Sequence, residues 1–135
     1  MKHASSRVVL GVVAVSLMAV QAPPLFEEVA PTATGIRWIH ESAMSAERYL
    51  PETIPPGVAF LDYDNDGWLD VFLVNTGEAD FYKPSKPPSN GLYRNNHDGT
   101  FTDVTRKAGV AGGKSFGMGV AVGDYDNDGF PDIFV

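Results

Sequence analysis

The stretch Gly57-Val58-Ala59-Phe60-Leu61-Asp62-Tyr63-Asp64-Asn65-Asp66-Gly67-Trp68-Leu69-Asp70-Val71-Phe72-Leu73 occurs twice in this chain. It returns without gaps as Gly119-Val120-Ala121-Val122-Gly123-Asp124-Tyr125-Asp126-Asn127-Asp128-Gly129-Phe130-Pro131-Asp132-Ile133-Phe134-Val135. Asp124 follows Asp62 by 62 positions, and 11 of the 17 aligned residues are identical. A fixed period of this kind marks a repeat architecture, in which each unit buries its apolar face against the next. The flanks of each loop, such as Val58-Ala59-Phe60-Leu61 and Val71-Phe72-Leu73-Val74, are short apolar runs bounded by turn residues. They read as buried strands.

Inside the repeat lies Asp-x-Asp-x-Asp-Gly-x-x-Asp, formed by Asp62, Asp64, Asp66 and Asp70 and again by Asp124, Asp126, Asp128 and Asp132. Eight of the 17 acidic residues fall in these two windows. Four carboxylates in one loop repel each other unless a cation lies among them. Acids at positions 1, 3 and 5 point inward from a tightly curled loop, and Gly67 or Gly129 at position 6 permits the turn. Trp68 or Phe130 at position 7 would offer a backbone carbonyl, and Asp70 or Asp132 at position 9 closes the cage. All-oxygen ligation at that reach suits Ca²⁺ better than Mg²⁺, which demands stricter octahedral geometry. An EF-hand would need a Glu at position 12 and helical flanks; Leu73 and Val135 stand there, and the flanks are strand-like. The missing acid weakens a dockerin-like reading in the same way. The plain alternative is a pair of solvated acidic turns. Tyr63, Tyr125, Trp68 and Phe130 are expected to pack between neighbouring units.

Working outward, Leu92-Tyr93-Arg94 and Thr100-Phe101-Thr102-Asp103-Val104 flank Asn95-Asn96-His97-Asp98-Gly99. Asp-Gly between two strand-like runs signals a hairpin. The stretch from Phe101 to Val110 is a fainter copy of the stretch from Phe26 to Ile36, so each unit is expected to begin near Phe26 or Phe101. The proline-rich run from Lys83 to Ser89 lacks amide donors for a central strand and reads as an exposed loop. Ser42 to Tyr49 is the one helix-compatible piece. His40 and His97 read as structural or exposed.

At the N-terminus, Lys2, His3 and Arg7 precede an uncharged apolar run of 13 residues, Val8 to Val20. The run fits a signal-peptide core and is short for a bilayer span. Val20-Gln21-Ala22 supplies small residues for cleavage, so residues 1–22 are expected to be a signal peptide and 23–135 the exported repeat region. No lipobox cysteine is present. Outside the cytoplasm calcium is often millimolar, so weak oxygen-ligand sites fill. The balance of the chain agrees. With 10 Lys and Arg against 17 Asp and Glu, and a net charge of −7, it is poorly suited to neutralise nucleic-acid phosphates. With no cysteine it has no disulfide framework and no thiolate metal site. Fourteen glycines and 10 prolines favour turns and short strands over long helices.

These motifs resemble the FG-GAP, or VCBS, repeat proteins, whose units form blades of integrin-α-like β-propellers. The resemblance is carried by Phe116-Gly117-Met118-Gly119-Val120-Ala121, by the Asp124 to Asp132 loop, and by the hairpin from Leu92 to Thr105. Tyr49-Leu50-Pro51-Glu52-Thr53 with Gly57-Val58-Ala59-Phe60 is similar to the start of exported ASPIC/UnbV-type and cartilage-acidic-protein-like members. It covers roughly Phe26 to Val135. The chain departs from the family pattern at Pro55-Pro56, in the missing Phe-Gly pair of the first unit, and at His97, where a glycine is common. The resemblance implies an all-β fold, a partial β-propeller of about two blades, with Ca²⁺ held by the two aspartate loops. Propellers close with about four to eight blades, so the chain is expected to be the N-terminal fragment of a longer exported protein; a small protein assembling by edge pairing is the rival. The functional reading is a non-catalytic, secreted or periplasmic calcium-binding repeat protein for adhesion or recognition. Its partner would be an extracellular protein or a glycan, with no nucleic acid and no membrane span in the mature chain. The alternatives are a sugar-binding lectin, or an enzyme whose site lies beyond Val135.

Overall fold

Runs of Val, Phe, Leu and Tyr cut short by Asp, Asn and Gly favour pleated segments of a few residues over helices. The computed structural model describes residues 25–112 and 116–135, and in it four such runs form one antiparallel sheet. Its strands are β1 (Val58–Leu61), β2 (Asp70–Leu73), β3 (Gly91–Asn95) and β4 (Phe101–Asp103), in the order β1-β2-β3-β4. Strands β5 (Ala121–Gly123) and β6 (Asp132–Phe134) form a second, two-stranded sheet. Leu61 is paired with Asp70 and Gly123 with Asp132, so the two acidic loops join equivalent hairpins at the same register. The described residues therefore comprise one four-stranded meander and a separate hairpin equivalent to its first. No sheet among them closes into a barrel. The proposed signal peptide, residues 1–22, lies outside the described residues. No helix among them is long and apolar enough to cross a membrane.

The unit boundary needs correction. Phe101 does not open the unit of the second loop; it lies in β4, paired with Asn95. The Asn96 amide donates to the Thr100 carbonyl at 2.9 Å, and this tight turn commits β4 to β3. The likeness between the stretches at Phe26 and Phe101 has a structural basis further along. Each leads into a single helical turn, α1 (Pro31–Thr34) and α3 (Thr105–Ala108), ended by a left-handed glycine, Gly35 (φ 81°) or Gly109 (φ 73°). Glycine takes that conformation without a Cβ clash and caps the turn.

A helix over Ser42 to Tyr49 does not form. Ala43 (φ 57°) and Arg48 (φ 54°) are left-handed, and the only turn nearby is α2 (Leu50–Thr53). The buried carboxylate of Glu52 organises this segment instead. It accepts from the Ser45 amide (2.5 Å), the Ser45 hydroxyl (2.6 Å) and the Tyr49 amide (3.0 Å). A second buried hub is Asn75. Its side chain donates to the carbonyls of Ile39 and Ser89 and accepts from the Glu41 amide, tying the 39–41 segment to the sheet.

The core is one face of the meander. Ala59, Phe72 and Leu92 stand side by side across β1, β2 and β3, and Leu61, Phe72, Val74, Leu92 and Val104 are buried together. Along β2 burial alternates: Phe72 and Val74 are buried, while Val71 and Leu73 are half-buried. Tyr63 and, from the second hairpin, Val120 and Ile133 pack against this cluster. Full burial of a side chain such as Phe72 or Leu92 contributes about 1.5–3 kcal/mol. Missing side chains let the two sheets meet. A Cβ on Gly57 would stand 2.9 Å from the Gly119 carbonyl carbon, and one on Gly117 would stand 2.6 Å from Val74 Cγ1.

Candidate metal centres

Each acidic loop is built by its own carboxylates. Asp62 accepts from the Asp66 amide (2.9 Å) on one oxygen and the Gly67 amide (2.8 Å) on the other. Asp124 does the same with Asp128 (3.0 Å) and Gly129 (3.0 Å). Asp66 and Asp128 accept from the amides of Trp68 (2.9 Å) and Phe130 (2.8 Å). Asp70 and Asp132 reach back across the hairpin to the amides of Tyr63 (2.9 Å) and Tyr125 (2.7 Å). The curl needs two left-handed residues, and both loops supply them in the same places: Asn65 (φ 56°) with Gly67 (φ 88°), and Asn127 (φ 60°) with Gly129 (φ 88°). Asn is among the few side chains that adopt this conformation readily.

The folding brings three carboxylates together in each loop. One oxygen from each of Asp62, Asp64 and Asp70 lies within 4.8 Å of the others, and the same holds for Asp124, Asp126 and Asp128. Asp66 and Asp132 are not in these trios. Asp70 is fully buried, and its other oxygen accepts from the Asn95 amide at 2.7 Å, so β3 also braces the first site. Asp64 accepts no hydrogen bond among the described residues. Partial loss of water around it, with the negative charges of Asp66, Asp70 and Asp62, holds its carboxyl above the ordinary value; Arg94 opposes this. That is the charge crowding a hard cation relieves. A donor set of hard oxygens could hold a hard metal cation in either loop, though the third carboxylate comes from position 9 in the first and position 5 in the second. Trp68 and Phe130, expected to offer backbone carbonyls, donate their amides to Asp66 and Asp128.

One side chain from the β3–β4 turn joins the first loop. His97 Nε2 lies 2.8 Å from Asp66 Oδ2, and its ring stacks on Trp68 at 4.7 Å between centroids. The Trp68 amide first, then His97 and Arg94, hold the Asp66 carboxyl below the ordinary value despite its partial desolvation. The sequence held one signal of this role: His97 occupies a left-handed turn position (φ 66°) where glycine is easier. Trp68 thus packs within its own sheet, not between units. Tyr63 packs as expected, against the core shared with the second hairpin. Tyr125 and Phe130 are exposed. The loops also touch each other, through Asn65 Nδ2 donating to the Gly129 carbonyl at 3.2 Å.

Comparison with known proteins agrees with this architecture. Cartilage acidic protein 1 of Xenopus tropicalis is 36% identical over 61 residues, and its Homo sapiens counterpart is 34% identical over 61. Each alignment covers 45% of this chain and 9% of the relative, so the chain matches a small part of much longer proteins. No solved structure matches. The family described as FG-GAP-like repeat, a β-propeller element, matches residues 62–135, from the first aspartate of the first loop to Val135. The chain belongs to the FG-GAP-like repeat family.

Proposed function

We propose that residues 23–135 are part of an exported, calcium-stabilised β-propeller that serves adhesion or recognition without catalysis, and that residues 1–22 direct its export. The observation that carries the calcium reading is a carboxylate trio in each of two repeat-equivalent loops, which share their first two members at the 62-residue period (Asp62 and Asp64, Asp124 and Asp126) and are held by the same pattern of backbone amides. Calcium would neutralise the aspartates and lock each hairpin loop. Asp62, Asp64 and Asp70 would hold one ion and Asp124, Asp126 and Asp128 the other, with Asp66, Trp68, Phe130 and Asp132 completing the loops. The ring reading is supported by exposed apolar side chains on each of the described sheets. Val58 and Phe60 are exposed on the first sheet, and Phe134 on the second. A stacked repeat leaves such faces for its neighbours. Export is supported by the leader-like N-terminus and by the hard-oxygen sites, which suit a calcium-rich compartment.

The test is thermal unfolding of the full chain with calcium or chelator. Calcium at 100 times its dissociation constant should add about 2.7 kcal/mol per independent site. Asp64→Ala and Asp126→Ala should each lower the apparent affinity about tenfold or more. Asp64 is the cleaner probe, because it holds no backbone amide whose loss would disturb the loop by itself. A wild-type melting curve indifferent to calcium would refute the reading.

A further inference from the structure

The chain is acidic, yet three of its cations gather in one place. Arg37, Lys86 and Arg106 line a cleft of about 310 Å³ together with Trp38, Tyr93 and Asp103. They come from three separate segments: the stretch after α1, the proline-rich loop and the turn α3. The described residues contain seven Lys and Arg in all. The cleft lies at the end of the meander away from the acidic loops. The loops join Leu61 to Asp70 and adjoin the Asn95–Phe101 turn, whereas Gly91, in the cleft, pairs with Leu73 at the other end.

The walls are fixed by bonds of their own. The Trp38 indole N–H donates to the Ser89 carbonyl at 3.0 Å. Its ring lies over Gly91, where a Cβ would stand 3.0 Å from Trp38 Cδ1. Tyr93 is buried beneath it. Asp103, the one acid in the lining, is engaged by the Thr105 amide (3.0 Å) and hydroxyl (2.6 Å). Arg37, Lys86 and Arg106 are exposed at the rim, and no carboxylate among the described residues lies within 4.0 Å of any of them.

We propose that this cleft binds a saccharide carrying sulfate or carboxylate groups. Like charges crowded without partners repel, and an oxyanion removes that repulsion. Two guanidiniums offer planar forks that match carboxylate and sulfate geometry. The half-buried Trp38 ring supplies an apolar wall, and the Ser89 hydroxyl, which donates to the Asn90 carbonyl, can also accept from a sugar hydroxyl. Three localised cations suit one or two acidic groups. A nucleic acid needs a long basic stripe, and the 17 acids of this chain would repel it. The inference takes the recognition reading above and names its ligand class, while calcium binding is measured separately.

The experiment uses the full chain at saturating calcium and measures binding of a heparin-derived oligosaccharide, an oligogalacturonate, a neutral malto-oligosaccharide and poly-glutamate. Binding of one or both acidic saccharides and not the neutral one is expected; which of the two binds distinguishes sulfate from carboxylate. Arg37→Ala with Arg106→Ala should weaken it about tenfold or more, whereas Lys83→Ala with Lys107→Ala, an equal loss of charge outside the cleft, should change it less than about twofold. Arg37→Gln with Arg106→Gln replaces the alanine pair if that pair melts below wild type. Equal losses in the two pairs, or binding of poly-glutamate alone, overturn the proposal. So does failure of every acidic saccharide while calcium still raises the melting temperature, an outcome that leaves the calcium reading standing.

Discussion

The two carboxylates that close the loops, Asp70 and Asp132, have the same place in the repeat and different surroundings. Asp70 is fully buried and satisfies two amides, Tyr63 and Asn95. Asp132 is half-buried and satisfies Tyr125. Leaving a buried amide without a partner costs about 1–3 kcal/mol. Asp70→Ala should therefore lower the unfolding free energy by about 3 kcal/mol, and Asp132→Ala by about 1, as read from urea denaturation with chelator present. Glu52 makes a second prediction. Burial pushes its carboxyl up, but the hydroxyl and amide of Ser45, the Tyr49 amide and Arg48 outweigh that and hold it below the ordinary 4.5. A carboxylate whose folded value is depressed stabilises the fold above its unfolded value. That contribution disappears as pH falls below 4.5 and through the lower folded value. Melting temperature against pH should consequently fall less steeply in that acid window for Glu52→Gln than for wild type.

Among the elements, the repeat-equivalent glycines Gly57 and Gly119 do unequal work. A Cβ on Gly57 would press on the Gly119 backbone, while one on Gly119 would meet nothing within 4 Å. Gly57→Ala should cost about 1–3 kcal/mol by forcing β1 and β5 apart, and Gly119→Ala less than about 1, measured by urea unfolding. The strand pairs were legible in the sequence because period, turn residues and apolar runs coincide from Leu61 to Asp70 and from Asn95 to Phe101. The clustering of carboxylates in each loop was legible because alternate spacing in a curled loop needs no long-range information; which three converge was not, since Asp70 takes the place in the first loop that Asp128 takes in the second. The unit boundary was not, since the likeness of the Phe101 stretch to the one at Phe26 reflects the helical turn that follows each and not the strand pairing that ties Phe101 to Asn95. The left-handed Ala43 and Arg48 were invisible for a related reason: the contacts of Glu52 override an unremarkable helical propensity. The roles of Arg94 and His97 depend on where a distant turn lands. Spacing along the chain carries no trace of that.

At the scale of the molecule, charge is segregated: carboxylates at one end of the meander, a cationic cleft at the other. On the calcium reading, magnesium at equal concentration should raise the melting temperature less than calcium does, because it gives up its water reluctantly and demands octahedral order. Differential scanning calorimetry with each ion separates the two. The Asn65–Gly129 bond carries a further consequence for such titrations. The residue that gives each loop its left-handed bend also reaches, in the first loop, into the next, so ordering one loop fixes part of its neighbour before any ion arrives there. Stacked units that interact only with nearest neighbours follow a one-dimensional cooperative law. Filling would then spread along the repeats as a zipper closes, with a Hill coefficient above one that falls to one when Asn65→Ala cuts the link.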